Sequence, residues 1–343
     1  MAKTLIIITG PTAIGKTSLA IQLATHYQTE IVSADSRQFY REMDIGTAKP
    51  SSGELMAVKH HFINSHSIVD NFNVGDYEKK ALELIEDLFS RHNVIIVVGG
   101  SGLFINAITN GFDELPSSTK EIREKLNQLF RDKGIAPLQE KLKRVDQTFY
   151  TEVDINNPQR LIRALEVYEA TGKPFSEFRK RTKKQRSFNI VTIGLNTDRK
   201  ALYKNIDHRV DLMIEAGLVK EAEGLKEFRH LNPLNTVGYS ELFDYFDGLY
   251  TLEEAVEKIK QNTRRFAKRQ LTWFNKSENI KWFEPADGEK IFSYLDFQLK
   301  NLELPAQKEL KNNIRNDGAL KCLFTMLAQV VRRNSWERQE DLR

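Results

Sequence analysis

The chain has 343 residues, 51 Lys and Arg against 47 Asp and Glu, 40% hydrophobic and 29% charged residues. That balance excludes bulk disorder and collagen-like repeats, and the length suggests about two domains with ample chain for a core. The only cysteine is Cys322, which rules out an intramolecular disulfide and a cysteine-based zinc site and fits a reducing, cytoplasmic setting.

The amino terminus, MAKTLIIITGPT, is too brief an apolar run before Gly-Pro for a signal peptide, and no stretch reaches the ~20 apolar residues of a membrane span. Residues 4–9 (TLIIIT) read instead as a strand buried on both faces, followed by helical periodicity over 15–26. Further strands are expected at 30–33 and 93–98, the latter running into Gly99-Gly100 and another helix. Strands alternating with helices imply βαβ units and a parallel sheet. Residues 115–186 lose strand character and predict an all-helical insertion. Strand character returns at 188–195, with a helix capped at Thr197-Asp198 and ending at Gly217. A long basic amphipathic helix over 251–276 and an edge strand at 280–283 complete the reading. The expected organisation is an α/β core from 1–114 and 187–300, the insertion at 115–186, and a tail at 301–343 of unassigned role.

The strongest local signal is Gly10-Pro11-Thr12-Ala13-Ile14-Gly15-Lys16-Thr17, the G-x-x-x-x-G-K-[ST] pattern between a strand and a helix. Its glycines let consecutive N–H groups and the helix's positive end face a phosphate chain. Lys16 adds a point charge, and Thr17 can hold a magnesium ion. A phosphate-loop triphosphatase would also carry an apolar strand ending in Asp, whereas strand 93–98 ends in Gly99-Gly100-Ser101-Gly102. The acid at a matching strand end is Asp35. Ligands of open α/β sheets bind at that edge, which groups Asp35, Ser101 and the phosphate loop. On position alone, Asp35 serves equally well as a helix cap, and Ser101 fits that plain role better still. His60, His61 and His66 lack the spacing of a metal set, and Tyr239, Trp273, Phe274 and Trp282 are core or channel lining. The basic runs 179–186 and 264–269 are solvated faces unless a polyanion is bound.

Seven blocks in register, GPTAIGKT, DSRQFYREMDIGTAKP (35–50), VGGSGLFINAI (98–108), NNPQRLIRALEVYEATGKPFSEF (156–178), RVDLMIEAGLVKE (209–221), VGYSE (237–241) and TRRFAKRQLTWF (263–274), closely resemble the bacterial tRNA dimethylallyltransferase family. The resemblance runs from residue 5 to about 283. It implies a phosphate-loop α/β fold with a helical insertion. It also implies prenyl transfer from dimethylallyl diphosphate to the N6 amine of the adenosine 3′ of the anticodon, position 37, in tRNAs reading codons that begin with U. Residue by residue, it makes Asp35 the base, and Lys16, Arg209 and magnesium on Thr17 the partners of the diphosphate. Ser101, where the family usually has Thr, would address the bridging oxygen. Asp35, Ser36, Arg37, Gln38, Ser101, Arg123, Gln159, Arg160, Leu161, Ile162 and Arg163 would contact tRNA. Asn205 departs from the arginine the family often has one turn before Arg209. The expected partners are tRNA and the diphosphate donor, with no membrane and a monomeric enzyme. The competing classes are an ATP-dependent small-molecule kinase, an isopentenyltransferase acting on free AMP, and a tRNA-binding protein without chemistry.

Overall fold

The computed structural model describes residues 2–113, 115–116, 118–180 and 183–316, with side chains to residue 303. The chain begins β1 (Thr4–Thr9), α1 (Lys16–His26), β2 (Ile31–Ser33), α2 (Ser52–Ala57), β3 (His60–His61), α3 (Val74–Leu88), β4 (Val94–Val98) and α4 (Gly102–Thr109). Five helices follow without a strand: α5 (Lys120–Lys133), α6 (Ala136–Val145), α7 (Gln147–Glu152), α8 (Pro158–Thr171) and α9 (Phe175–Phe178). The last part comprises β5 (Asn189–Leu195), α10 (Arg199–Glu215), α11 (Leu218–Gly224), α12 (Tyr239–Phe246), α13 (Leu252–Phe274), β6 (Ile280–Phe283) and α14 (Gly288–Asn316). Residues 317–343, most of the tail and Cys322 with it, lie outside the described residues.

Contacts divide the described residues into two compact units, one drawn from 2–105 and 187–316, the other from 106–186. The first is built on a parallel six-stranded sheet in the order β3-β2-β4-β1-β5-β6. Strand β1 sits between β4 and β5, with Ile6 opposite both Ile96 and Val191. Because every residue of β1 and β4 is buried, their continuous apolar runs satisfy both faces at once. Ile6, Ile8, Ile96 and Ile193 join Leu19 and Leu23 of α1, Leu202 and Ile206 of α10, and Ile291 and Leu295 of α14 in one cluster. Alternation sends Leu5, Ile7, Ile95 and Val97 to the opposite face, where they are equally buried.

A separate cluster holds the segment after β2. Tyr40, Met43 and Ile68 pack with Val210, Leu218, Tyr239, Leu242, Phe243 and Ile259 from α10 to α13. Glu221 fixes the same segment by polar contacts. Its carboxylate accepts from the backbone amides of Asp44 (3.1 Å), Ile45 (2.8 Å) and Gly46 (3.0 Å) and from the Tyr239 hydroxyl (2.6 Å).

In the helical unit, Leu126, Leu138, Leu142, Phe149, Leu161, Ile162, Leu165 and Phe175 form the core. The start of α8 follows from sequence: Asn157 Oδ1 accepts from Arg160 N at 3.2 Å, Pro158 occupies the first turn, and Gly172 closes the helix in the left-handed region at φ 71°. Of the basic run 179–186, Arg181 and Thr182 lie outside the described residues. Arg186 donates to the carbonyls of Ile108 and Ala107 at 2.7 Å each, so this residue terminates α4 rather than lining an open face.

Candidate functional site

The site is assembled where β1, β2 and β4 end. Gly10 and Gly15 carry φ of 142° and 93°, and Ala13 between them is left-handed at 63°. A Cβ on Gly10 would lie 2.4 Å from the Leu195 carbonyl oxygen, so the loop begins pressed against β5. This curl leads directly into α1, whose N-cap is Gly15, and Thr17 lies in its first turn. The Lys16 ammonium donates to the Pro11 carbonyl at 2.7 Å, folding back along the loop. Loss of hydration is the main force on it and pulls its pKa down to about 8. The Asp35 carboxylate acts in the opposite direction, and Arg209 adds a smaller push downward.

Arg209 projects from α10, and its Nη1 lies 3.5 Å from Thr12 Oγ1. Its pKa is lowered by burial, while Asp35 and then Glu54 favour the charge. Asp211, two residues further along α10, pairs instead with Lys260 at 2.8 Å. Arg209 therefore belongs to the phosphate loop. Asn205 is exposed one helical turn earlier.

Asp35 follows β2 and is set by local turn chemistry. Its Oδ1 accepts from Arg37 N at 3.0 Å, and its own N–H donates to Ser33 Oγ at 3.3 Å. Ser36 connects this turn to the end of β4, since its amide donates to Ser101 Oγ at 3.2 Å and the two hydroxyls lie 3.2 Å apart. Beneath the turn, Tyr77 donates to the Ser33 carbonyl at 2.9 Å and Phe39 stacks on the Tyr77 ring. The sequence-derived group of phosphate loop, Asp35, Ser101 and Arg209 thus lies in one unit and shares hydrogen bonds and fields.

Other predicted contacts are placed differently. Arg37 spends its guanidinium on the carbonyls of Asn232 (3.2 Å) and Asn235 (3.5 Å), and Gln38 donates to those of Thr47 (3.2 Å) and Ala48 (3.1 Å). Both brace the loop from inside. In the helical unit, Leu161 and Ile162 are fully buried in the core and offer no surface to RNA, which corrects their assignment as contacts. Gln159 and Arg160 are exposed. Arg123 and Arg163 converge on the buried carboxylate of Glu166, at 3.2 and 3.4 Å, and Arg123 Nη2 also reaches Gln159 at 3.3 Å. That fork keeps two cationic side chains at the surface of the unit with their orientation set.

Sequence reasoning missed Gln270, buried on α13, which accepts from Thr12 N and donates to the Gly100 carbonyl, both at 2.9 Å. It also missed Glu221. Neither has a local signal, because each finds its partners far away in sequence. The histidines divide as expected of structural residues: His61 contacts Glu30 at 2.6 Å, His60 contacts the Val58 carbonyl at 2.8 Å, and His66 stacks on Phe72. Among the described residues no cluster of three His, Cys, Asp or Glu could cage a metal. Tyr239 and Phe274 are core, Trp282 covers Gly194, and Trp273 lies over Gly102 while remaining 42% exposed.

The sequence profile described as IPP transferase matches residues 38–277. A tRNA dimethylallyltransferase of Christiangramia forsetii is 54% identical over 300 residues, 87% of this chain and 99% of its own length. One from Flavobacterium johnsoniae is 50% identical over 306 residues, with the same shares covered. The solved tRNA isopentenylpyrophosphate transferase of Bacillus halodurans superposes with a TM-score of 0.66 at 37% identity, covering 90% of this chain and 99% of that one. A eukaryotic dimethylallyltransferase, solved in snapshots of its action on tRNA, superposes at 0.70 with 27% identity, covering 82% of this chain and 74% of that one. A phosphate loop that faces Asp35 and Ser101 across a parallel sheet edge, in a chain alike over nearly its whole length to these enzymes, places the protein in the IPP transferase family.

Proposed function

We propose that this chain transfers a dimethylallyl group from dimethylallyl diphosphate to the N6 amine of adenosine 37, 3′ of the anticodon, in tRNAs that read codons beginning with U. The products are N6-isopentenyladenosine and diphosphate. One observation carries the chemistry: a carboxylate, Asp35, acts on the cationic phosphate loop, while the neighbouring strand end offers the Ser101 hydroxyl instead of a second acid. A loop with its charge balanced this way suits a leaving diphosphate beside a proton acceptor.

The adenine amine is a weak nucleophile because its lone pair is delocalised into the ring. As the nitrogen–carbon bond forms at C1 of the donor, the carbon–oxygen bond breaks and its electron pair departs with diphosphate. The amine proton passes to the Asp35 carboxylate. Lys16, Arg209 and the loop amides stabilise the charge that accumulates on diphosphate, the larger part of the task. The Ser101 hydroxyl is suited to the bridging oxygen. The hydroxyl of Thr17 is a hard oxygen donor of the kind magnesium takes alongside phosphate oxygens and water, so Thr17 would hold that ion, which supplies further charge neutralisation. The base must leave the anticodon-loop stack to be reached, at a cost of a few kcal/mol. The exposed Arg160, the Arg123–Arg163 fork and the basic face of α13 support RNA binding. No described helix is long and apolar enough to cross a membrane. We assign the protein to the cytoplasm as a monomer, with the RNA supplying the large interface.

The test is incubation with magnesium, labelled dimethylallyl diphosphate and an unmodified anticodon stem-loop carrying three adjacent adenosines, with free AMP in parallel. Label on the stem-loop is expected. Label on AMP alone would reassign the activity to free-nucleotide prenylation. Label on neither, with γ-phosphate transfer from ATP, would make the protein a kinase.

A further inference from the structure

Gln270 is 6% exposed and lies on α13 between exposed Arg269 and the core. Both ends of its amide are committed. Oε1 accepts from Thr12 N at 2.9 Å, and Nε2 donates to the Gly100 carbonyl at 2.9 Å. The fit is close on the second side, because a Cβ on Gly100 would stand 2.3 Å from Nε2. Thr12 in turn meets Arg209 through its hydroxyl, and Gly100 directly precedes Ser101, whose hydroxyl meets Ser36 beside Asp35. One side chain therefore spans the two halves of the reaction centre.

We infer that Gln270 is a positioning residue of the transfer reaction, holding the Thr12–Arg209 side of the diphosphate loop at a fixed distance from the Gly100–Ser101 turn. The inference rests on the prenyl-transfer reading above. Its physical content is separation: the leaving diphosphate is bound on one side of the amide, the base and the hydroxyl that meets its bridging oxygen on the other, and reacting atoms must meet within ~3–3.5 Å. A primary amide suits the place because it presents one acceptor and one donor from a single rigid plane. An ionised carboxylate keeps the bond to Thr12 N but turns a lone pair on the Gly100 carbonyl. A protonated carboxyl restores the donor. Burial favours that protonated form and raises the pH at which it is lost.

The experiment is the pH profile of Gln270→Glu divided by that of the wild type in the stem-loop assay, with stem-loop binding measured in the absence of donor. The ratio of kcat is expected to rise about tenfold or more as pH falls from about 8 to about 5.5, with RNA affinity within about twofold of wild type. A flat ratio would overturn the role. Gln270→Met, which keeps the length and removes both hydrogen bonds, guards against a Glu variant that does not fold. Its kcat, corrected for any loss of folded fraction, is expected to fall roughly 10- to 100-fold with RNA affinity within about twofold of wild type. Retention of wild-type kcat within about twofold, or a loss that only follows the folded fraction, would equally overturn the inference. Failure of the wild type itself to label the stem-loop would remove the prenyl-transfer reading instead, so the two failures are distinct.

Discussion

At the scale of single residues, the Asp35 carboxylate favours the charge on Lys16 that burial opposes. Asp35→Ala should lower kcat by ~10²–10⁴, the range of general-base catalysis, while the Kd for stem-loop RNA changes only a few-fold. A reversed pattern, with RNA affinity lost and turnover kept, would remove Asp35 from the chemistry. Lys16 adds a pH dependence whose sign follows from its lowered pKa of about 8. Below that value the free enzyme already carries the charge that diphosphate needs. Above it, binding must take up a proton, so affinity for inorganic diphosphate should fall about tenfold for each further pH unit. Titration calorimetry in two buffers of different ionisation enthalpy would show that uptake above pH 8, and Lys16→Arg should abolish it, since guanidinium stays charged. These two residues were legible in the sequence because each belongs to a pattern defined by its neighbours along the chain. Gln270 and Glu221 were not. A glutamine in a basic helix becomes informative only when Thr12, 258 residues away, is seen to donate to it.

Among the elements, the strands were the readable ones. β1 and β4, buried throughout, match their expected runs to within one residue at each end, because an uninterrupted β-branched segment has few other uses; the partly buried β5 and the edge strand β6 match as closely. β3 is two histidines long and carries no such signature. The helix α12 and the short turn helices before it escaped notice for the related reason that their form depends on Glu221 and the cluster around Tyr239. Glu221→Gln places an amide donor where backbone N–H groups need an acceptor. It should destabilise the protein by roughly 1–3 kcal/mol in urea unfolding, and Tyr239→Phe by about 1 kcal/mol. Gly10→Ala is a harsher test of the loop. Its φ of 142° and the 2.4 Å approach to the Leu195 carbonyl leave no room for a methyl group, so a loss of about 1–3 kcal/mol or more is expected in the same measurement. A tolerated alanine would mean that the loop begins differently.

Across the whole molecule, RNA binding should be separable from chemistry. Arg160→Ala on the surface of the helical unit should weaken stem-loop binding at low salt and reduce the slope of log K against log salt by about 1, leaving kcat at saturating RNA near wild type. An unchanged slope would exclude a phosphate contact there. The strand order has a further consequence, in time. β1 pairs with β4 and β5 and with no nearer segment, so its second edge has no partner until residue 195 has been made. At ~5–20 residues per second, synthesis from β1 to that point occupies about 10–40 s. Through most of that interval TLIIIT is a nascent apolar segment with at least one open edge, while the helical unit, whose contacts close within residues 106–186, can finish first. The most deeply buried strand of the finished enzyme is therefore the one that waits longest on the ribosome, and the one a chaperone has most occasion to hold.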